Sequence, residues 1–153
     1  MLFVTVGTTD FDGLIQTMDH LATKIDEKVI AQIGKGNYIP LHMDHFRYAP
    51  SLDRYFSMAR IVISHGGLGT VMEALQKGCK LIGVNNPDRY DLHQVELLEA
   101  LEEQGHLIWC RNMSLLAEAL HKAEAQTFIP YNKPRCTIAE IIKDYLDRTV
   151  LKR

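Results

Sequence analysis

Cysteine is nearly missing: Cys79, Cys110 and Cys136 are the only three, widely spaced and without a C-x-x-C pair. An odd number at such spacing suggests neither a zinc site nor a disulfide framework, and a reducing cytoplasm is the expected compartment. Long apolar runs are missing too. No segment approaches the roughly 18 residues of a membrane span, and the opening Met1–Gly7 lacks the basic n-region of a signal peptide. A soluble chain, at most peripheral to a membrane, is expected. An excess of positive charge is also absent: 17 basic residues face 19 acidic ones, for a net charge of −2, which removes the electrostatic footprint of a nucleic-acid binder. Internal repeats, low-complexity tracts and linkers do not occur, and 153 residues leave room for one domain, 1–153, with a real core but not for two.

What the chain does have is alternation. Leu2 to Val6 is a short β-branched run ending at Gly7, and Phe11 to Lys24 places Leu14, Ile15, Met18, Leu21 and Ile25 at helical spacing. Lys28 to Ile33 reads as a second strand stopped by Gly34-Lys35-Gly36-Asn37, and Asp44 to Tyr48 as a weaker third. A short helix from Ser51 to Met58, capped by Ser51, leads to a fourth strand, Arg60 to Ser64. The helix Leu68 to Lys77, the strand Lys80 to Val84, the helix Asp91 to Gln104 and the strand His106 to Cys110 follow. A capped helix from Ser114 to Ala125 and a terminal helix from Pro134 to Arg148 complete the chain. Six strands alternating with helices predict an α/β, single Rossmann-like domain: a six-stranded parallel sheet with helices on both faces, in the order 3-2-1-4-5-6. Such sheets bind ligands beyond the carboxyl ends of their strands at the switch point, here between the first and fourth strands.

Two glycine turns fall there. Gly7-Thr8-Thr9 follows the first strand, and Ser64-His65-Gly66-Gly67-Leu68-Gly69-Thr70 leads from the fourth strand into a helix. Glycines allow close backbone approach, and the N–H groups of a helix start offer donors and partial positive charge to an anion. Ser64, His65, Thr70 and Glu73 are polar groups that a strand end does not readily accommodate unless something bonds to them. The spacing fits neither G-x-G-x-x-G nor the P-loop, which disfavours nicotinamide cofactors and triphosphate hydrolysis.

The same residues, with Glu73-Ala74, resemble the donor-binding signature in the C-terminal half of two-domain nucleotide-sugar glycosyltransferases, and the chain resembles glycosyltransferase family 28 C-terminal domains. The opening Val4 to Asp12 is similar to that of the small subunits of two-subunit UDP-sugar transferases. These act in eukaryotic lipid-linked oligosaccharide synthesis and, as subunits of the PssE type, in bacterial exopolysaccharide synthesis. Asn86-Pro87 followed by His93-Gln94 and Glu96-Leu97 matches the segment that touches the donor sugar in these relatives. The resemblance runs from Val4 to Leu97 and implies the C-terminal half of a GT-B enzyme. It implies that Gly7, Thr8, Thr9, Ser64, His65, Gly66, Gly67, Gly69 and Thr70 face the donor diphosphate. Glu73 would hold the ribose, backbone groups at Phe46, Arg47 and Tyr48 the uracil, and Asn86, His93 and Gln94 the sugar. No cofactor is expected; a UDP-sugar is the donor substrate.

Other motifs read more plainly. Asp10-Phe11-Asp12 looks like a D-x-D metal motif, but it opens a helix, where aspartate serves as a cap or first-turn residue. His42 and His45 lie in loop and strand without a third ligand, so no metal site is expected. His65 either meets the ligand or fixes its own turn. In the terminal helix, Ile138, Ile141, Ile142, Tyr145 and Leu146 have helical spacing, which predicts core packing, with partner docking as the alternative.

No residue recommends itself as a general base. By resemblance, base and acceptor groove belong to a second, membrane-associated subunit presenting a polyprenyl-linked saccharide, which would hold this chain at the cytoplasmic membrane face. The expected activity is UDP-sugar-dependent hexosyl transfer by an inverting enzyme, in surface polysaccharide or lipid-linked oligosaccharide synthesis. A non-catalytic UDP-sugar sensor is the alternative, and fusion of two halves sets epimerases apart. The donor stays open among UDP-GlcNAc, UDP-galactose, UDP-glucose and UDP-glucuronate, with Arg89 alone pointing toward an acid.

Overall fold

The computed structural model describes residues 1–87 and 92–149. Six parallel strands form one sheet: β1 (Leu2–Thr5), β2 (Val29–Gln32), β3 (Asp44–Phe46), β4 (Ile61–His65), β5 (Leu81–Val84) and β6 (Ile108–Trp109), in the order β3-β2-β1-β4-β5-β6. The helices are α1 (Asp12–Ala22), α2 (Asp53–Met58), α3 (Leu68–Gln76), α4 (Leu92–Glu103), α5 (Leu116–Ala125, after a 3₁₀ turn at Met113–Leu115) and α6 (Ile138–Thr149). The expected fold class and strand order are what the structure has. Among the described residues no helix is long and apolar enough to cross a membrane.

The central strands are buried at every position and apolar up to their carboxyl ends, where Thr5, Ser64 and His65 stand, because both faces are covered, as a parallel sheet requires. Side-chain alternation then sorts them into two layers. Leu2, Val4, Ile61, Ile63 and Ile82 pack with Leu14, Ile15 and Met18 of α1 and Leu116 and Leu120 of α5. Phe3, Val62 and Leu81 pack on the other face with Phe56 of α2, Val71 and Leu75 of α3, and Leu98 and Leu101 of α4. Val4, Ile63, Ile82 and Ile108 lie in one register row, so the carboxyl ends of β1 and β4 stand side by side.

Three local expectations change. Ser51 accepts a hydrogen bond from the Asp53 amide at 3.1 Å, yet the residue before α2 is Leu52, which supplies no side-chain cap. Asn112, not Ser114, caps the 3₁₀ turn before α5, accepting from the Ser114 amide at 3.0 Å. The terminal helix begins at Ile138 and buries nothing: Ile138, Ile141, Ile142, Tyr145 and Leu146 are all exposed, against the expectation of core packing. Helical spacing reports an apolar face; it does not say whose surface covers it.

Candidate functional site

β1 ends in a turn built from its own side chains. The Thr5 hydroxyl donates to Gln32 Oε1 at 2.6 Å and accepts from the Gly7 amide at 3.0 Å. Gly7 has φ +63°, and both the amide and the hydroxyl of Thr9 donate to the Val6 carbonyl. This bends the backbone at Thr8 and Thr9 away from the sheet. The positive φ needs glycine.

The second turn continues β4. His65 is buried, with 7% of its surface exposed, and Gly66 remains tied to the sheet through a 2.9 Å bond from its amide to the Val84 carbonyl. α3 starts at Leu68 with no side-chain cap at Gly67. The N–H groups of its first turn are thus left for solvent or a ligand.

The two turns meet. A Cβ placed on Gly7 would stand 2.9 Å from His65 Cε1 and 3.3 Å from Thr70 Oγ1. A cleft of about 510 Å³ opens beside them, within the usual range for small-molecule sites. Gly7, Thr8, Thr9, His65, Gly67, Gly69, Thr70 and Glu73 line it, joined by Gln32 and by Ala49 to Leu52. Glu73 is exposed at its rim.

Other expected site residues lie elsewhere. Ser64 is buried and donates to the His65 carbonyl at 2.8 Å, so it fixes the turn from behind. Gly66 backs onto α4, where a Cβ would stand 3.0 Å from Gln94 Cβ and from Leu98 Cδ1. Phe46, Arg47 and Tyr48 do not line the cleft. The Phe46 carbonyl accepts from the Ile33 amide, and its ring stacks on Tyr55 with centroids 4.5 Å apart. Arg47 Nη1 donates to the Gly34 and Gly36 carbonyls, and Tyr48 is exposed. Ala49 to Leu52, which follow them, do line the cleft.

Asn86 is buried. Its side chain donates to the Asp10 carbonyl at 3.3 Å, and its amide donates to Gln94 Oε1 at 3.2 Å, joining the loop after β5 to the loop after β1. His93 is exposed and pairs with Glu96 at 3.6 Å. Arg89, which alone pointed toward an acidic donor sugar, falls outside the described residues. Asp12 sits in the first turn of α1 and accepts from the Asn37 amide at 3.1 Å. His42 and His45 are exposed, and no group of three metal-ligating side chains occurs among the described residues.

Sequence reasoning missed Thr5 and Gln32. The available signal was a polar residue at the carboxyl end of each of two otherwise apolar strands. It also missed Asp19, 2% exposed on the inner face of α1. Its carboxylate accepts from the Tyr38 hydroxyl at 2.7 Å and from the Leu41 and His42 amides at 3.0 and 2.7 Å. Burial raises its pKa, but these bonds and the His42 ring outweigh it and hold the group below the ordinary carboxylate value. Asp19 pins the segment before β3, away from the cleft.

A larger groove, about 690 Å³, runs along the open edge of the sheet past Leu41, Asp44, Tyr55 and Met58. It lies beside the edge strand, not beyond the strands' carboxyl ends, and has neither a glycine turn nor the start of α3. Its size does not make it the better candidate.

Parallel strands in this order, with two glycine turns converging beyond their carboxyl ends, define a nucleotide-binding type of α/β domain, and solved glycosyltransferases share it. The calicheamicin glycosyltransferase CalG4 shares the fold at a TM-score of 0.66 and 18% identity, over 97% of this chain and 44% of that one. The solution structure of ALG13 shares it at 0.62 and 18%, over 98% and 96%. Residues 1–149 match the glycosyltransferase family 28 C-terminal domain, and the chain belongs to that family.

Among relatives, the human UDP-N-acetylglucosamine transferase subunit ALG13 is 37% identical over 122 residues, covering 71% of this chain and 11% of that protein. The Yarrowia lipolytica subunit of the same name is 32% identical over 123 residues, covering 71% and 63%. The chain therefore spans less than two thirds of either relative.

Proposed function

We propose that this chain is the donor-binding subunit of a split inverting glycosyltransferase, with UDP-GlcNAc as its donor. The observation that carries the reading is the approach of Gly7 to His65 and Thr70, which brings two turns distant in sequence into one cleft at the switch point. The relatives' names, UDP-N-acetylglucosamine transferase subunits, support both the donor and the division into subunits.

The diphosphate would lie between Gly7-Thr8-Thr9 and the start of α3, the ribose against Glu73, and the base against Ala49 to Leu52. As the sugar leaves, negative charge gathers on UDP, and the uncapped N–H groups of α3 stabilise it. One helix end contributes about 0.3 to 2 kcal/mol, so the hydroxyls of Thr8 and Thr70 and the His65 ring are needed beside it. His65 and Glu73 are the only titratable side chains lining the cleft among the described residues, and both have donor roles. Acceptor and general base then come from a second, membrane-associated subunit carrying a polyprenyl-linked saccharide, and this chain is peripheral through it. The exposed apolar face of α6 is available for that contact.

Calorimetric titration of UDP-GlcNAc, UDP-glucose, UDP-galactose and UDP-glucuronate into the purified chain tests the reading. UDP-GlcNAc should bind best, and a folded Glu73→Ala variant should lose about tenfold in affinity or more. Transfer should appear only when the acceptor subunit is added. A folded Glu73→Ala chain that binds UDP like the wild type removes Glu73 from the site, and binding with no activity beside any such subunit leaves a sensor.

A further inference from the structure

The loop after β2 has no part in the cleft, yet it lies against the first turn with no side chain between them. Gly34 has φ +51°; a Cβ there would overlap the Thr9 carbonyl and stand 2.9 Å from the Gly7 carbonyl. The Lys35 amide donates to that same Thr9 carbonyl at 2.9 Å. Two side chains grip the loop. Arg47 Nη1 donates to the Gly34 carbonyl at 3.0 Å and the Gly36 carbonyl at 2.8 Å, and Asp12 Oδ2 accepts from the Asn37 amide at 3.1 Å. Gly36 has no room for a side chain, because Asp12 Oδ1 fills the space its Cβ would take.

We infer that Arg47 and Asp12 are positioning residues of the donor site: they clamp the Gly34–Asn37 loop against the Thr9 carbonyl and thereby fix the turn that presents the Thr8 amide to the donor's phosphates. The inference rests on the donor-site reading above. A phosphate-binding turn made of backbone groups works only if its N–H vectors are held before the ligand arrives, since ordering them on binding would subtract from affinity. The Thr9 amide and hydroxyl tie one side of the turn to the Val6 carbonyl, and the loop holds the Thr9 carbonyl on the other side. The clamp holds that loop with charge-assisted bonds to the Gly34 and Gly36 carbonyls and the Asn37 amide. It also accounts for Arg47 lying outside the cleft: it serves the phosphates through the loop, not the base directly.

The test is an NMR titration of UDP and, separately, uridine into the full chain and into Arg47→Met, Arg47→Lys and Asp12→Ala. Wild type should prefer UDP over uridine. Arg47→Met and Asp12→Ala should weaken UDP about tenfold while leaving uridine within about twofold, with Arg47→Lys recovering part of the loss. The Lys35 amide should exchange faster in Arg47→Met, reporting the freed loop. Equal loss of UDP and uridine would put Arg47 against the base, and unchanged UDP affinity would leave the clamp without a role; either overturns the inference. If Arg47→Met fails to fold, Asp12→Ala and Arg47→Lys are read by the same criteria. Absence of a UDP preference in wild type is a separate result, visible before any variant is made, and it overturns the donor-site reading together with the clamp.

Discussion

Replacing Gly7 with alanine tests the convergence of the two turns directly. Two effects add. The backbone at φ +63° is left-handed, which disfavours alanine by about 1–2 kcal/mol wherever it occurs. The new methyl group would also stand 2.9 Å from His65 Cε1 and 3.3 Å from Thr70 Oγ1, so the imidazole or the turn must move. Gly78 provides the control. Its φ is +73°, but nothing lies within 4 Å of a Cβ there, so Gly78→Ala carries the backbone effect alone. Both variants should lose about 1–2 kcal/mol in urea unfolding, Gly7→Ala somewhat more. Only Gly7→Ala should bind UDP poorly. Displacing one phosphate-binding donor is worth about 1.5–3 kcal/mol, or roughly ten- to a hundredfold in Kd. Calorimetry on folded protein reads the difference. A Gly7→Ala chain that binds UDP as tightly as Gly78→Ala would refute the placement of the diphosphate between the turns.

Three further outcomes follow from named contacts. Asp19→Asn should cost about 2–4 kcal/mol at pH 7, because the amide can no longer accept from Tyr38, Leu41 and His42 together as a charged group. The folded pKa of Asp19 is depressed, so its contribution is complete above the ordinary carboxylate pKa and fades as pH falls through the folded value. The stability gap between wild type and Asp19→Asn should therefore close in acid, and a gap unchanged down to pH 2 would contradict the assignment. Ile141→Asp with Tyr145→Asp should leave the chain's own stability within about 0.5 kcal/mol, since the two side chains are 61% and 64% exposed, whereas Leu98→Ala in the core should lose about 2–5 kcal/mol. If the α6 pair unfolds the chain instead, that helix packs on the core in solution.

The sheet was legible because its central strands are buried on both faces and therefore mostly apolar at consecutive positions, whereas the exposed edge strand Asp44–Phe46 gives only a weak signal. Leu2–Val6 and Ile61–Ser64 cannot be mistaken for amphipathic helices. The meeting of the two turns followed from strand order, which the crossover rule leaves little freedom to change. What escaped was whatever depends on the direction of a single side chain. Arg47 follows the third strand, and its guanidinium turns to the Gly34 and Gly36 carbonyls, partners that no sequence pattern names. Asp19 interrupts an apolar helix face, and nothing in the sequence names Tyr38 and Leu41 as its partners. Ser51 and Ser114 have the chemistry of caps, but the first lies one residue early and Asn112 takes the place of the second. Each depends on which backbone group happens to lie within hydrogen-bond reach.

The cleft and α6 raise one physical problem between them. The cleft offers hydroxyls, backbone amides and a helix start, and among the described residues its only titratable side chains are His65 and Glu73. α6 holds five large apolar side chains in water, on a helix of 12 residues that buries none of them. Isolated helices of that length are marginal in water, and most helical stability comes from packing an apolar face. A second polypeptide seated on α6 and reaching over the cleft would answer both at once, burying the helix face and closing the site. The two halves of that answer can be separated by experiment. Acidic substitutions on α6 should abolish complex formation and transfer while leaving UDP binding to the isolated chain intact. Glu73→Ala should do the reverse, keeping the complex and losing the donor. Loss of UDP binding from the α6 substitutions would couple the two sites and defeat the picture of one chain with two independent faces.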